Sequence, residues 1–193
     1  AGEIVELAYR HRPPRARPIL LLIDVSGSLR AHSPDYLRFA HAVLREAPRA
    51  EAFTFGTRLT RVTAQLRARD PDAALDALSR RVVDADGGTR IGASLREFLA
   101  DGRNVSRARG AAIVVLSDGL ERGEPDALRD AAAKLSLRAW RLSWLTPLAT
   151  GPGFRPQTEA LVAIERFVDD LLDGGSRASL VAHVLALGRR RAA

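Results

Sequence analysis

Two near-continuous aliphatic runs, Ile19-Leu20-Leu21-Leu22-Ile23 and Ala111-Ala112-Ile113-Val114-Val115-Leu116, constrain the fold of this chain more than any other feature. A strand that is apolar at every position has no face to give to water. It belongs in a sheet covered on both sides, as parallel α/β sheets are. Each run stops abruptly in small polar residues, Asp24-Val25-Ser26-Gly27-Ser28 after the first and Ser117-Asp118-Gly119 after the second. Open α/β sheets bind ligands beyond the carboxyl ends of their strands, so both clusters fall where ligands sit.

The elements between these runs alternate in kind. Ser33-Pro34 supplies an N-cap and a first-turn proline for a helix through about Arg45, with Tyr36, Leu37, Ala40, Val43 and Leu44 on its buried side. Ala50 to Phe55 and Arg58 to Val62 are rich in β-formers and flank Gly56-Thr57, which predicts a hairpin that adds an antiparallel edge. Asp70-Pro71 opens a helix to about Arg80, followed by Val82-Val83 and the pair Gly87-Gly88. Ile91, Leu95, Phe98 and Leu99 fall at helical spacing, and Glu124-Pro125 starts a further helix. Arg138 to Leu145 reads as a strand with Ala139, Leu142 and Trp144 among its core residues; Trp140 and Trp144, four apart, are expected on one face. Phe167-Val168 is a candidate edge strand, and Ser176 to Leu187 a closing helix capped by Ser176 and stopped by Gly188. The fold class this predicts is α/β: a doubly wound, mostly parallel sheet with one antiparallel edge strand and helices on both faces.

Asp and Ser offer only oxygen, which suits a hard cation. Mg²⁺ takes about six oxygens and usually keeps several waters, so Asp24, Ser26 and Ser28 alone cannot fill its shell. Asp118 and Thr89, the latter in the Gly87-Gly88-Thr89 loop, supply more oxygen at neighbouring positions. A plain polar turn is the simpler account of Asp24 to Ser28, because such side chains bond nearby backbone amides. It does not account for two carboxylates converging, which would repel each other without a cation between them. His11, His32, His41 and His183 are scattered without ligand spacing and are expected at the surface or satisfied in the core.

Asp24-x-Ser26-x-Ser28, then Thr89, then Asp118 resembles the metal-ion-dependent adhesion site (MIDAS) of von Willebrand factor A (VWA) domains. The resemblance implies a metal held directly by Ser26 and Ser28, by Thr89 directly or through water, and by Asp24 and Asp118 mostly through water. Stretches with no metal role, Phe53 to Val62, Gly87 to Gly92 and Leu116 to Gly119 followed by Arg122-Gly123-Glu124-Pro125, are similar to CoxE-type proteins. So is Trp144-Leu145-Thr146-Pro147-Leu148, with Thr146 where that group has asparagine and Leu120 where tryptophan is expected. The resemblance implies a Mg²⁺ site, with Mn²⁺ or Ca²⁺ as other occupants. It also implies an adaptor rather than an enzyme, partnered by a MoxR-type AAA+ ATPase in the maturation of a molybdenum hydroxylase such as carbon monoxide dehydrogenase. The metal's open position would take an acidic residue of the partner.

At 193 residues the chain is long enough for one sizeable core, divided here into a basic extended lead-in (1–17), a VWA domain (18–188) and a basic tail (189–193). A chain beginning Ala1-Gly2-Glu3 is expected to be processed or excised from a longer protein. It has no cysteine, which excludes disulfides and thiolate chemistry. The net charge of +7 lies in the flanks: without Arg10, Arg12, Arg15, Arg17, Arg189, Arg190 and Arg191, 23 basic residues face 23 acidic ones. That balance argues against nucleic acid as a partner. No run is long enough to span a bilayer and no secretory signal is visible, so a soluble, cytoplasmic, monomeric domain is expected. No P-loop is present, so the domain is not itself an ATPase by that route. The competing reading is a Mg²⁺-dependent phosphoryl-transfer enzyme using Asp24 as nucleophile. Ser26 stands where phosphatases of the haloacid dehalogenase type carry their second aspartate, and no general acid is evident.

Overall fold

The computed structural model describes residues 17–56, 58–68, 90–149, 151 and 153–189. The lead-in up to residue 16, His11, the predicted helix from Pro71, Val82-Val83, Gly87-Gly88, Thr89 and the tail beyond residue 189 lie outside the described residues. Six strands form one sheet in the order β3-β2-β1-β4-β5-β6: β1 (Ile19–Asp24), β2 (Ala50–Phe55), β3 (Thr60–Arg61), β4 (Ala112–Leu116), β5 (Arg141–Thr146) and β6 (Asp170–Asp173). All neighbours are parallel except β2 and β3, the predicted antiparallel edge. The aliphatic runs β1 and β4 are the two central strands, flanked on both sides.

The helices are α1 (Ser33–Glu46), α2 (Thr63–Leu66), α3 (Ile91–Ala100), α4 (Gly102–Ala108), α5 (Pro125–Ser136), α6 (Glu159–Ile164) and α7 (Arg177–Arg189). Successive strand side chains point to opposite faces. Leu21 and Ile23 therefore join one core with Tyr36, Leu37, Ala40, Val43 and Leu44 of α1 and with Leu180 of α7. Leu20 and Leu22 join a second core with Ile91, Leu95 and Phe98 of α3 and with Leu128 of α5. Each face of β1 is thus buried against its own helical layer, which is why no polar residue interrupts the run until Asp24. On the second face, α3 and α5 cross so closely that a Cβ on Gly92 would lie 2.5 Å from the backbone nitrogen of Leu128. No side chain fits there.

Four local expectations need correction. Ser33 is the first helical residue of α1, not its cap: its hydroxyl donates to the Leu29 carbonyl at 2.9 Å, at the end of the 3₁₀ turn Gly27–Leu29. The last strand is Asp170–Asp173 rather than Phe167-Val168. Phe167 and Val168 instead pack on the second core, and the Asp169 carboxylate accepts the Leu142 amide at 2.8 Å, starting the pairing later. Trp140 and Trp144 lie on opposite faces, because β5 begins only at Arg141. Trp140 packs against the first core with the Arg17 guanidinium 4.5 Å from its ring, while Trp144 is buried in the second. Helix α7 runs through Gly188 to Arg189, although Ser176 does receive the Ser179 amide at 3.1 Å, as a capping residue should.

Candidate metal centre

The parallel register sets Asp24 opposite Phe55 and Ile23 opposite Leu116, so the carboxyl ends of β1, β2 and β4 are flush and their loops converge. Asp24 is the last residue of β1 and is fully buried. One carboxylate oxygen accepts the Ser26 amide at 2.9 Å and the other accepts the Ser117 hydroxyl at 2.7 Å. The Ser26 and Ser28 hydroxyls are 3.1 Å apart, either one donating to the other. Ser26 is buried and Ser28 faces solvent, so the pair runs from the interior to the surface. Gly56, in the loop after β2, closes the other side; its Cβ position is 4.0 Å from the Ser26 nitrogen.

The loop after β4 is built to hold its carboxylate inward. Asp118 accepts the Leu120 amide at 2.9 Å, and the Ser117 hydroxyl accepts the Gly119 amide at 3.1 Å. Gly119 has φ +70°, and a Cβ there would lie 2.6 Å from Leu161 Cδ2, so the turn needs glycine on two counts. The structure therefore brings Asp24, Ser26, Ser28 and Asp118 to one end of the sheet, and Thr89 lies outside the described residues.

Burial pushes the Asp24 carboxyl up to about 6; the hydrogen bonds from Ser117 and Ser26 oppose this, and the negative charge of Asp118 adds to it. Among the described residues no arginine, lysine or histidine forms an ion pair with Asp24 or Asp118. The pair is also short of a cluster of three or more His, Cys, Asp or Glu side chains, of which the described residues contain none. Any cation held here would be held largely by hydroxyls. The donor set fits that role. Cis ligands of Mg²⁺, at roughly 2.0–2.1 Å from the metal, stand about 2.9 Å from each other. The Ser26 and Ser28 oxygens are already at 3.1 Å. With both its oxygens taken by protein donors, Asp24 is suited to accept from a metal-bound water rather than to bind metal itself.

Three contributors escaped the sequence reading. Ser117 anchors Asp24 across the sheet. Glu121 accepts the amides of Gly92 and Gly123, each at 2.6 Å, and so ties the first turn of α3, two residues beyond Arg90, to the Asp118 loop. An acidic residue just after a strand-end motif and a glycine in the first turn of a helix are a visible, if weak, signal for such a clasp. Tyr36, buried on α1, has a hydroxyl with no hydrogen-bond partner among the described residues; burial, then Asp118, Asp24 and Asp173, hold it neutral.

Solved structures similar to this chain place it in a class. The crystal structure of an aerotolerance-related membrane protein from Bacteroides fragilis NCTC 9343, with multiple mutations to serines, is 15% identical with a TM-score of 0.56, covering 90% of this chain and 100% of that one. The SpRpn10 VWA domain is 13% identical with a TM-score of 0.51, covering 86% of this chain and 94% of the other. Proximal thread matrix protein 1 from the mussel byssus, solved with a zinc-occupied MIDAS motif, is 16% identical with a TM-score of 0.51, covering 89% of this chain and 48% of that one. At such identities these likenesses concern the fold, which is that of a VWA domain. None of the curated proteins compared with the chain matches it. Residues 1–181 match the family described as VWA domain containing CoxE-like protein, and the chain belongs to that family. The match takes in the basic lead-in. Among the described residues no helix is long and apolar enough to cross a membrane.

Proposed function

We propose that this domain is a metal-dependent protein-docking module in which Asp24, Ser26, Ser28, Thr89 and Asp118 hold a divalent cation, Mg²⁺ by preference, with Mn²⁺ or Ca²⁺ accommodated. The observation that carries this reading is the Ser26–Ser28 hydroxyl pair at 3.1 Å beside the fully buried carboxylate of Asp24, which pairs with no cation among the described residues. Zinc in the MIDAS motif of the mussel protein supports a divalent ion in this fold. Because Ser and Thr hydroxyls are neutral, a cation bound here keeps most of its charge and supplies an electrophilic position for a carboxylate from a partner. The protein's own part is positional. Ser117 and the Ser26 amide fix Asp24, the Leu120 amide fixes Asp118, and Glu121 joins their loop to α3.

Membership of the CoxE-like family supports a MoxR-type AAA+ ATPase as partner and maturation of a molybdenum hydroxylase, such as carbon monoxide dehydrogenase, as the process. The domain would work in the cytoplasm as a tether between ATPase and client, not as an enzyme. Phosphoryl transfer from Asp24 fits poorly, since a fully buried carboxylate with both oxygens hydrogen-bonded is a weak nucleophile. Calorimetric titration with Mg²⁺, paired with capture of a purified MoxR-type ATPase, tests the proposal. Wild type is expected to bind both, and Asp24→Ala or EDTA to abolish both with the fold retained by circular dichroism. Undiminished capture under either treatment would overturn it.

A further inference from the structure

Six arginines on the body of the domain form ion pairs: Arg61 and Arg107 with Glu51, Arg129 with Asp126 and Asp130, Arg141 with Asp170, and Arg38 and Arg177 with Asp35. Four others stand on the loops around the candidate metal centre. Arg30 follows Ser28 by two residues, Arg58 follows Gly56 by two, Arg122 lies beyond Asp118 in the same loop, and Arg90 immediately precedes α3. All four are exposed, and none forms an ion pair among the described residues. The Glu121 clasp brings the loop that carries Arg122 against Arg90, the Cβ position of Gly123 being 3.9 Å from Arg90 Cβ. Glu121 itself has both oxygens on backbone amides. The rim also carries Leu120, 46% exposed, on the same loop as Asp118, and Leu148, 40% exposed, just after β5.

We infer that this rim is a docking surface for an acidic segment of a partner protein, one carrying several carboxylates around an apolar residue, rather than for a single acidic side chain. The inference rests on the docking reading above and extends it. One carboxylate would occupy the centre, the flanking ones would pair with Arg30, Arg90 and Arg122, and the apolar residue would cover Leu120. Guanidinium groups suit this because their planar fork matches a carboxylate bidentately. Exposed arginines on loops beside a site raise the encounter rate with an acidic partner and penalise a basic one. Nucleic acid would also meet positive charge here, but none of the described exposed side chains at this rim is aromatic, so bases have no stacking platform, whereas Leu120 and Leu148 offer apolar contact.

The test uses the full chain with Mg²⁺ and a fluorescein-labelled peptide, Gly-Glu-Glu-Leu-Asp-Glu-Glu-Gly, read by anisotropy, beside a single-stranded oligonucleotide of equal charge. Wild type is expected to bind the peptide, more weakly as salt rises. Arg30→Glu and Arg122→Glu should each weaken it about tenfold while calorimetric Mg²⁺ affinity is unchanged. Arg45→Glu, exposed at the far end of α1, should leave it unaltered. Replacing the peptide's leucine by serine should weaken binding to wild type but not to Leu120→Ser. No peptide binding by wild type, undiminished binding by both rim variants, or tighter binding of the oligonucleotide would overturn the inference. If Mg²⁺ fails to bind but the rim variants still lose the peptide, the metal reading falls and this one stands.

Discussion

Asp24 and Asp170 are both half of a carboxylate problem at a strand end, and the molecule solves them in opposite ways. At the start of β6, on the sheet's edge, Arg141 grips Asp170 with two nitrogens, Nε at 2.6 Å, and Ser143 adds a hydroxyl at 2.8 Å. Although burial works to raise it, those hydrogen bonds and the Arg141 charge hold the Asp170 carboxyl below the usual range. At the centre of the sheet Asp24 is more deeply buried, has Asp118 for a neighbour, and receives only neutral donors, so its carboxyl is raised to about 6. The chain is rich in arginine and spends none of it here among the described residues. Among the described residues no internal cation offsets the repulsion, which is why we propose an external one there.

The largest effect that could break this contrast is metal-linked stability. Mg²⁺ at about a thousand times its dissociation constant should stabilise wild type by roughly 4 kcal/mol, raising Tm by roughly 8–16 °C, and should leave Asp24→Asn unmoved. Differential scanning calorimetry with and without EDTA decides it, and an equal shift in both proteins would erase the distinction between the two aspartates. Next in size is Arg141→Met, which strands Asp170 without its partner. A loss of about 3 kcal/mol in urea unfolding is expected, with Mg²⁺ affinity untouched.

The smallest and most discriminating effect is the pH profile of the metal-free domain. Asp24 has a folded pKa above its unfolded value of 3.8, so between about pH 4 and 6 the folded state binds more protons. Its contribution to unfolding free energy therefore falls as pH rises through that window, by roughly 2–3 kcal/mol in all. Asp170 has the opposite sign: its stabilisation is present above the ordinary carboxylate value and is lost as pH falls through its lowered one. Asp24→Asn should remove the first slope and keep the second. Stability that rose monotonically with pH from 4 to 6 in metal-free wild type would contradict the Asp24 assignment.

What the sequence disclosed followed from burial. Leu20 to Ile23 and Ile113 to Leu116 could be read as central parallel strands because double coverage leaves its signature at every position, and the buried face of α1 was legible from its period. That Asp24, Ser26, Ser28 and Asp118 meet at one end of the sheet was legible because strand ends in a parallel sheet converge whatever the intervening sequence. Less visible were features fixed by contacts remote in sequence. Ser117 looks like any turn serine until β1 is placed beside β4, and Glu121 like any surface glutamate until α3 arrives at its carboxylate. Trp140 and the last strand were misplaced for a related reason, since the point where β5 and β6 start pairing is set by Asp169 and Asp170 bonding across the sheet, not by β-propensity. The arginine rim was hidden by a balanced total, because charge counts carry no information about which acids are already committed.

The hydrogen bond from Ser117 to Asp24 joins residues 93 positions apart. Its two strands are parallel, so they are joined by a long crossover rather than a tight turn, and long-range parallel pairing is among the slower events in folding. The centre therefore does not exist in any early, locally structured species. An unfolded or half-assembled chain holds its serines and aspartates apart, so the docking proposed above would require the central pair of strands to have closed.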